Sequence, residues 1–186
     1  MRSGRKSVLV ATLIPVVWIG YSVFLFALGP YSNLKAAVSG AELPEERFGF
    51  TGADLFAFLE PLSAETIDLY SRFQYFDIPN ALLTGAAFVT LIWMLSRIVT
   101  ERSWVRLLVA FPVTLAVFDL AENVVLINTI DRLPLRFFGL GELAGTLNFF
   151  KMIAGSFTLV VFAVLLVAAV VVWFRRRTSK NSQEIV

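Results

Sequence analysis

The chain has 186 residues, 58% of them hydrophobic and only 16% charged, and its mean hydropathy is +0.76. Soluble domains carry roughly 45–50% apolar and about 25% charged residues, so composition alone assigns this chain to the membrane class. It has neither cysteine nor histidine, which excludes disulfides, thiol redox chemistry, cysteine nucleophiles, His-ligated haem or zinc and histidine general bases.

What remains is oxygen chemistry. Any ion site needs oxygen ligands, and any proton chemistry needs carboxylates, lysine or tyrosine. No metal site and no cofactor is expected. The length suits one membrane domain, 1–186, rather than two.

The first apolar run, Val8 to Leu28, is preceded by Arg2, Arg5 and Lys6. A basic start before an apolar run also describes a signal peptide, but an h-region is about 7–15 residues and this run is about 21. It reads as an uncleaved anchor, although the small residues at 36–41 offer a cleavage site. The first span is set at about 8–28.

Gly29 to Tyr75 is the one long segment between spans. Leu43-Pro44-Glu45-Glu46 reads as a loop. Thr51 and Ser63 read as N-caps of two short helices. After Ser63, Ile67, Tyr70 and Phe73 recur at helical spacing, and this second helix runs without a break into the next span. An amphipathic helical lid over about 48–75 is expected.

The second span is set at about 77–97. It opens with Asp77, closes at Arg97 and holds Pro79 in its first turns, where proline costs little. The third, about 106–128, is interrupted by Asp119, Glu122 and Asn123. A loop with Gly139 and Gly141 follows. The fourth, about 150–174, is headed by Lys151 and stopped by Arg175-Arg176-Arg177. A cytoplasmic tail, 175–186, completes the chain. Trp93, Trp104 and Trp173 read as interface anchors. Gly85 and Gly155 read as close-packing points between helices.

Charge orders these spans. The N-terminus, the 97–106 connection and the tail hold Arg2, Arg5, Lys6, Arg97, Arg102, Arg106, the Arg175–Arg177 triplet and Lys180, with only Glu101 and Glu184 as acids. The remaining acids lie elsewhere, with Lys35, Arg47, Arg72, Arg132, Arg136 and Lys151 for bases. By the positive-inside rule both termini face the cytoplasm, and a bacterial cytoplasmic (inner) membrane is the expected location.

The third span carries the unusual chemistry. An ionisable residue inside a span costs roughly 2.5–3.5 kcal/mol on insertion scales. Asp119, Glu122 and Asn123 stand at i, i+3 and i+4 and share one helix face, which must turn into the bundle. At a rise of ~1.5 Å per residue from Arg106, Asp119 lies about 20 Å and Glu122 about 24 Å up a core about 30 Å thick. Counting from Arg97 and from Arg175 brings Asp77 and Lys151 to the same outer level. Asn80, Asn148, Gln74 and Arg72 are candidates to complete the network. Three acids against Lys151 leave excess negative charge unless Arg72 joins or a carboxyl keeps its proton. The expected ligand-binding set is Asp77, Asp119, Glu122, Asn123, Lys151 and Arg72, with no catalytic residue assigned.

At Arg72-Phe73-Gln74-Tyr75-Phe76-Asp77, Phe118-Asp119-Leu120-Ala121-Glu122-Asn123 and Asn148-Phe149-Phe150-Lys151 the chain resembles a group of small, uncharacterised four-span bacterial membrane proteins. These have an Asp entering span two, a D-x-x-E-N motif in span three and a Lys opening span four. The resemblance covers about residues 65–175. It implies that Asp77, Asp119, Glu122, Asn123 and Lys151 belong together, and it brings no activity.

The expected architecture is therefore an all-α, four-transmembrane-helix antiparallel bundle with a short helical extracytoplasmic segment between spans one and two. The leading functional expectation is an outer-leaflet polar pocket that binds a lipid head group or small amphipathic ligand. The alternatives are a lipid-modifying enzyme using a buried carboxylate as general acid/base, and a structural subunit whose polar cluster only fixes helix packing. Expected partners are the bilayer, the ligand, and a membrane protein or second copy of the chain; nucleic acid is not among them.

Overall fold

In the computed structural model the backbone is described for residues 2–183 and side chains for residues 12–178. The side chains of Arg2, Arg5, Lys6 and Lys180, and all of Glu184, lie outside the described residues. Helix α1 is Arg2–Val23, continued by a π-helical turn over Phe24–Leu28, and α2 is Pro30–Ala37. A 3₁₀ turn at Pro44–Glu46 leads to α3 (Gly52–Leu59) and α4 (Ala64–Val99). A second 3₁₀ stretch, Ser103–Val109, opens α5 (Ala110–Ile130), and α6 is Phe138–Gln183. No strand occurs among the described residues.

Four helical stretches are long and apolar enough to cross a membrane: Thr12–Ala37, Ala64–Val99, Ser103–Ile130 and Phe138–Thr178. The chain is thus an all-α, four-helix, multi-pass membrane bundle. The bundle is uneven. Helix α5 packs against both α4 and α6, while among the described residues α1 leans on α4 and has no comparable interface with α6.

Both expected caps are present. The Thr51 hydroxyl accepts from the Asp54 amide at 3.1 Å, and the Asp54 carboxylate accepts in return from Thr51 N at 2.8 Å. Ser63 Oγ accepts from the Thr66 amide at 3.2 Å and starts α4. Gly49 has φ +88°, a left-handed conformation natural to glycine, and it turns the chain towards α3.

Three boundaries differ from the sequence reading. Residues 30–37, read as linker, are helical because Pro30 sits at the first helical position, where its missing N–H costs nothing. The fourth helix starts at Phe138, about twelve residues before the expected head of the span. Gly139 and Gly141 read as breakers, yet Gly141 is where α6 meets α3: a Cβ there would lie 2.7 Å from Gly52 Cα. A side chain at Gly145 would collide with the carbonyl oxygen of Phe50. These glycines let the loop backbone lie directly on the helix. At its other end α6 runs through Arg175–Arg177 to Gln183, so most of the expected tail continues the helix.

One end of the bundle is thereby capped by residues 24–62. Under the cap lies the main core, with Leu25, Leu34, Leu43, Leu55 and Tyr70 fully buried beside Leu126. A smaller cluster of Ile92, Val105 and Leu165 holds the opposite end. Between them Gly85 lets α4 approach α5, since a Cβ there would sit 2.6 Å from Ala116 Cβ.

Candidate functional site

The i, i+3, i+4 face of α5 points two ways. Glu122 turns to α6 and Asn123 turns to α4. Lys151 Nζ lies 2.5 Å from Glu122 Oε2 and 3.5 Å from Asp119 Oδ1. Asn123 Nδ2 donates to Asp77 Oδ2 at 3.1 Å, and Asn80 Nδ2 donates to Asp77 Oδ1 at 3.0 Å. Ser22 of α1 extends the chain of contacts by donating to Asn80 Oδ1 at 3.2 Å. Asp77, Asp119, Glu122, Asn123 and Lys151 are therefore brought together at one level.

Arg72 is not among them. It pairs with Asp68, one turn earlier on its own helix, at 2.9 Å, and its side chain is 66% exposed. An i, i+4 partner in solvent satisfies the guanidinium without the cost of burial.

The network has a closed side and an open side. On the closed side Glu122 has 0% exposure. Its Oε1 accepts from Asn148 Nδ2 at 3.0 Å and its Oε2 meets the Lys151 ammonium. Asn148 is equally buried. Its amide also donates to the Glu45 carbonyl at 2.9 Å, and its Oδ1 accepts from Gly49 N at 3.0 Å. One side chain of α6 thus ties α5 to the cap.

On the open side a partly open cavity of about 520 Å³ lies among α4, α5, α6 and the cap. Glu45, Glu46, Asp77, Asp119 and Lys151 line its polar end; Leu115, Met152 and Leu159 line its apolar side. Thr84, which accepts from Trp18 Nε1 at 2.9 Å, marks how far it reaches towards the bundle middle. Trp18 is in turn packed on Phe88, with ring centroids 5.5 Å apart, so it serves as a packing residue.

Sequence reasoning missed Glu45. Its carboxylate accepts from Tyr70 Oη at 2.6 Å and Gln74 Nε2 at 2.8 Å. Burial pushes this carboxyl above the ordinary value, against the opposing pull of Tyr70, its own backbone, Lys151 and Gln74. Its neighbour Glu46 behaves oppositely. Burial would raise it, but hydrogen bonds from Tyr31 and Lys35 hold it below the ordinary value. The acids of a Pro-Glu-Glu loop carry no periodicity that could locate them. Tertiary contacts locate Glu45, among them the one between its backbone carbonyl and Asn148, 103 residues apart.

Among the described residues no group of acids converges closely enough to hold a metal ion. What the arrangement offers is a set of carboxylates, one ammonium and an adjoining apolar space inside the bundle. Comparison with protein-family models, curated proteins and solved structures finds no match.

Proposed function

We propose that this is a protein of the bacterial cytoplasmic membrane, with both termini inside, whose pocket in the outer-leaflet half binds a lipid head group or small amphipathic ligand. The observation that carries the reading is the cavity. It joins a charged end to an apolar side within one space, and that is the division of an amphipathic molecule. Its volume falls within the roughly 300–1,000 Å³ common for small-molecule sites. The orientation rests on the sorting of basic residues to one side.

Native mass spectrometry of the protein extracted from its membrane tests the pocket. The wild type is expected to retain a bound amphiphile. Gly155→Leu, which fills the cavity wall from a position with room for a Cβ, is expected to lose it while keeping its melting temperature. Equal retention by both, or none by either, overturns the reading. Orientation is tested separately: the chain has no cysteine, so Ala41→Cys should react with an impermeant reagent outside and Ser179→Cys should not.

A further inference from the structure

We infer that the pocket selects a positively charged amphiphile, an alkylammonium that reaches it sideways from the bilayer between α1 and α6. This rests on the pocket reading above and adds the charge of the ligand and its route.

The charge follows from the lining. Glu45, Glu46, Asp77 and Asp119 face the cavity, and Lys151 is the single cation among its lining residues. That cation is already committed, at 2.5 Å from Glu122 and 3.5 Å from Asp119. Lys35 balances Glu46 at 2.9 Å. Asp77 is left in an unusual position. It is 8% exposed, lines the cavity, and accepts only from the neutral amides of Asn80 and Asn123. Among the described residues no cation lies within ion-pair distance of Asp77 or Glu45. A buried carboxylate needs a counter-charge to offset its desolvation, and the cavity is where one fits.

The rest of the wall suits an organic cation better than a metal ion. Phe26, Tyr31 and Phe73 line the same end. Their rings touch in series without stacking, edge to face between Phe26 and Tyr31 with centroids 5.1 Å apart and tilted between Tyr31 and Phe73 at 5.5 Å. Aromatic faces attract ammonium groups, most strongly when desolvated. The carboxylates are too dispersed to chelate a metal, but a soft, bulky ammonium needs no tight convergence.

The route follows from the packing. Among the described residues α1 leans on α4 and has no comparable interface with α6, which leaves this side of the partly open cavity as its way in. Phe26, Ser156 and Leu159 line it and are also exposed on the outside of the helices. An alkyl chain can stay against Leu159 and Leu115 while the head moves to Asp77.

Two probes of equal chain length, dodecyltrimethylammonium and dodecanoate, titrated calorimetrically into the full-length protein in maltoside micelles, test this. The ammonium is expected to bind at least about tenfold more tightly than the carboxylate. Asp77→Asn, and independently Asp119→Asn, should reduce that ratio, and Gly155→Leu should abolish binding of both. Dodecanoate binding as tightly as the ammonium, with both lost in Gly155→Leu, overturns the charge inference and leaves the pocket standing. Failure of both probes to bind, or no effect of Gly155→Leu, overturns the pocket with it. A folded Asp77→Asn and a folded Asp119→Asn that both keep the full ratio remove these carboxylates from the site.

Discussion

Glu122 and Asp119 are acids one turn apart on the same face of α5, yet they meet different fates. Glu122 is sealed between Asn148 and Lys151 with no exposure. Asp119 sits at the cavity wall, sharing the edge of the same ammonium at 3.5 Å. The sealed acid has a hydrogen-bond donor and a counter-charge, which is how a buried ion avoids being a net cost. The open side has surplus negative charge and free volume. One network thus divides into a sealed part that ties α5 to α6 and a part that borders the cavity.

Breaking the closed side should have the largest effect. Lys151→Met leaves Glu122 buried without its counter-charge, and such a loss typically costs about 3–5 kcal/mol. Adding Glu122→Gln should restore part of that stability, because the pair is coupled. Adding Asp119→Asn in place of Glu122→Gln should restore less, because Asp119 lies farther from the ammonium and on the cavity. Reversible unfolding in bicelles measures all four proteins. Additive losses in the Glu122 double mutant would dissolve the distinction between the two sides.

Asn148→Ala comes next. It removes the donor to Glu122, the donor to the Glu45 carbonyl and the acceptor of the Gly49 amide together. Leaving buried partners unsatisfied costs about 1–3 kcal/mol. The loss should be localised: hydrogen exchange at Gly49 and through the cap should speed up, while the Ile92–Val105–Leu165 end stays protected. Uniform acceleration along the chain would mean that Asn148 does not join the cap to the bundle as described.

These contrasts show which parts of the molecule can be read from its residues. The spans are legible because a bilayer of fixed thickness demands long uncharged runs, and those runs stand out. The caps Thr51 and Ser63 are legible because their chemistry is local. Asp77, Asp119, Glu122, Asn123 and Lys151 are legible because helix rise alone brings them to one height. Helix rise says nothing about rotation, so Arg72 could not be told from a network member at nearly the same level. Nor does it reach residues outside helices. Glu45 enters the site from a loop, and the aromatic wall depends on how α2 folds back on α4. The start of α6 was obscured because Gly139 and Gly141 are breakers by propensity, yet tertiary contact with α3 overrides that preference.

Glu45 gives a smaller effect that separates the cap from the bundle by pH. Burial raises its carboxyl above the ordinary value near 4.5, so the folded chain holds this proton at pH values where the unfolded chain has released it. Within that window the folded state binds more protons, and stability must fall as pH rises. The contribution is complete below the ordinary value and declines as pH climbs through the raised one. Tyr70, Gln74, Lys151 and the chain's own backbone pull the other way and do not reverse this sign. Protection factors of the amides in residues 43–50, which divide out the base-catalysed rise of intrinsic exchange, should therefore fall from acidic towards neutral pH. Glu45→Gln, neutral throughout, should flatten the dependence. A cap that tightens as pH rises would contradict the assigned environment.

The smallest effect belongs to Arg72, and it sharpens the boundary of the site. Arg72 is an exposed side chain paired with Asp68 within one helix. Exposed pairs of this kind contribute about 0.3–0.5 kcal/mol, because water already solvates both partners and two long side chains lose freedom in meeting. Arg72→Ala should therefore leave stability within about 0.5 kcal/mol of wild type and leave the ammonium-to-carboxylate binding ratio unchanged. The sequence alone gives Arg72 a different weight, as a second base for a cluster with too few. If it moved into the network when the pocket fills, its loss would change that ratio even though the empty protein is unaffected. Measuring the ratio as well as the stability distinguishes a bystander on the helix surface from a cation recruited to the acids.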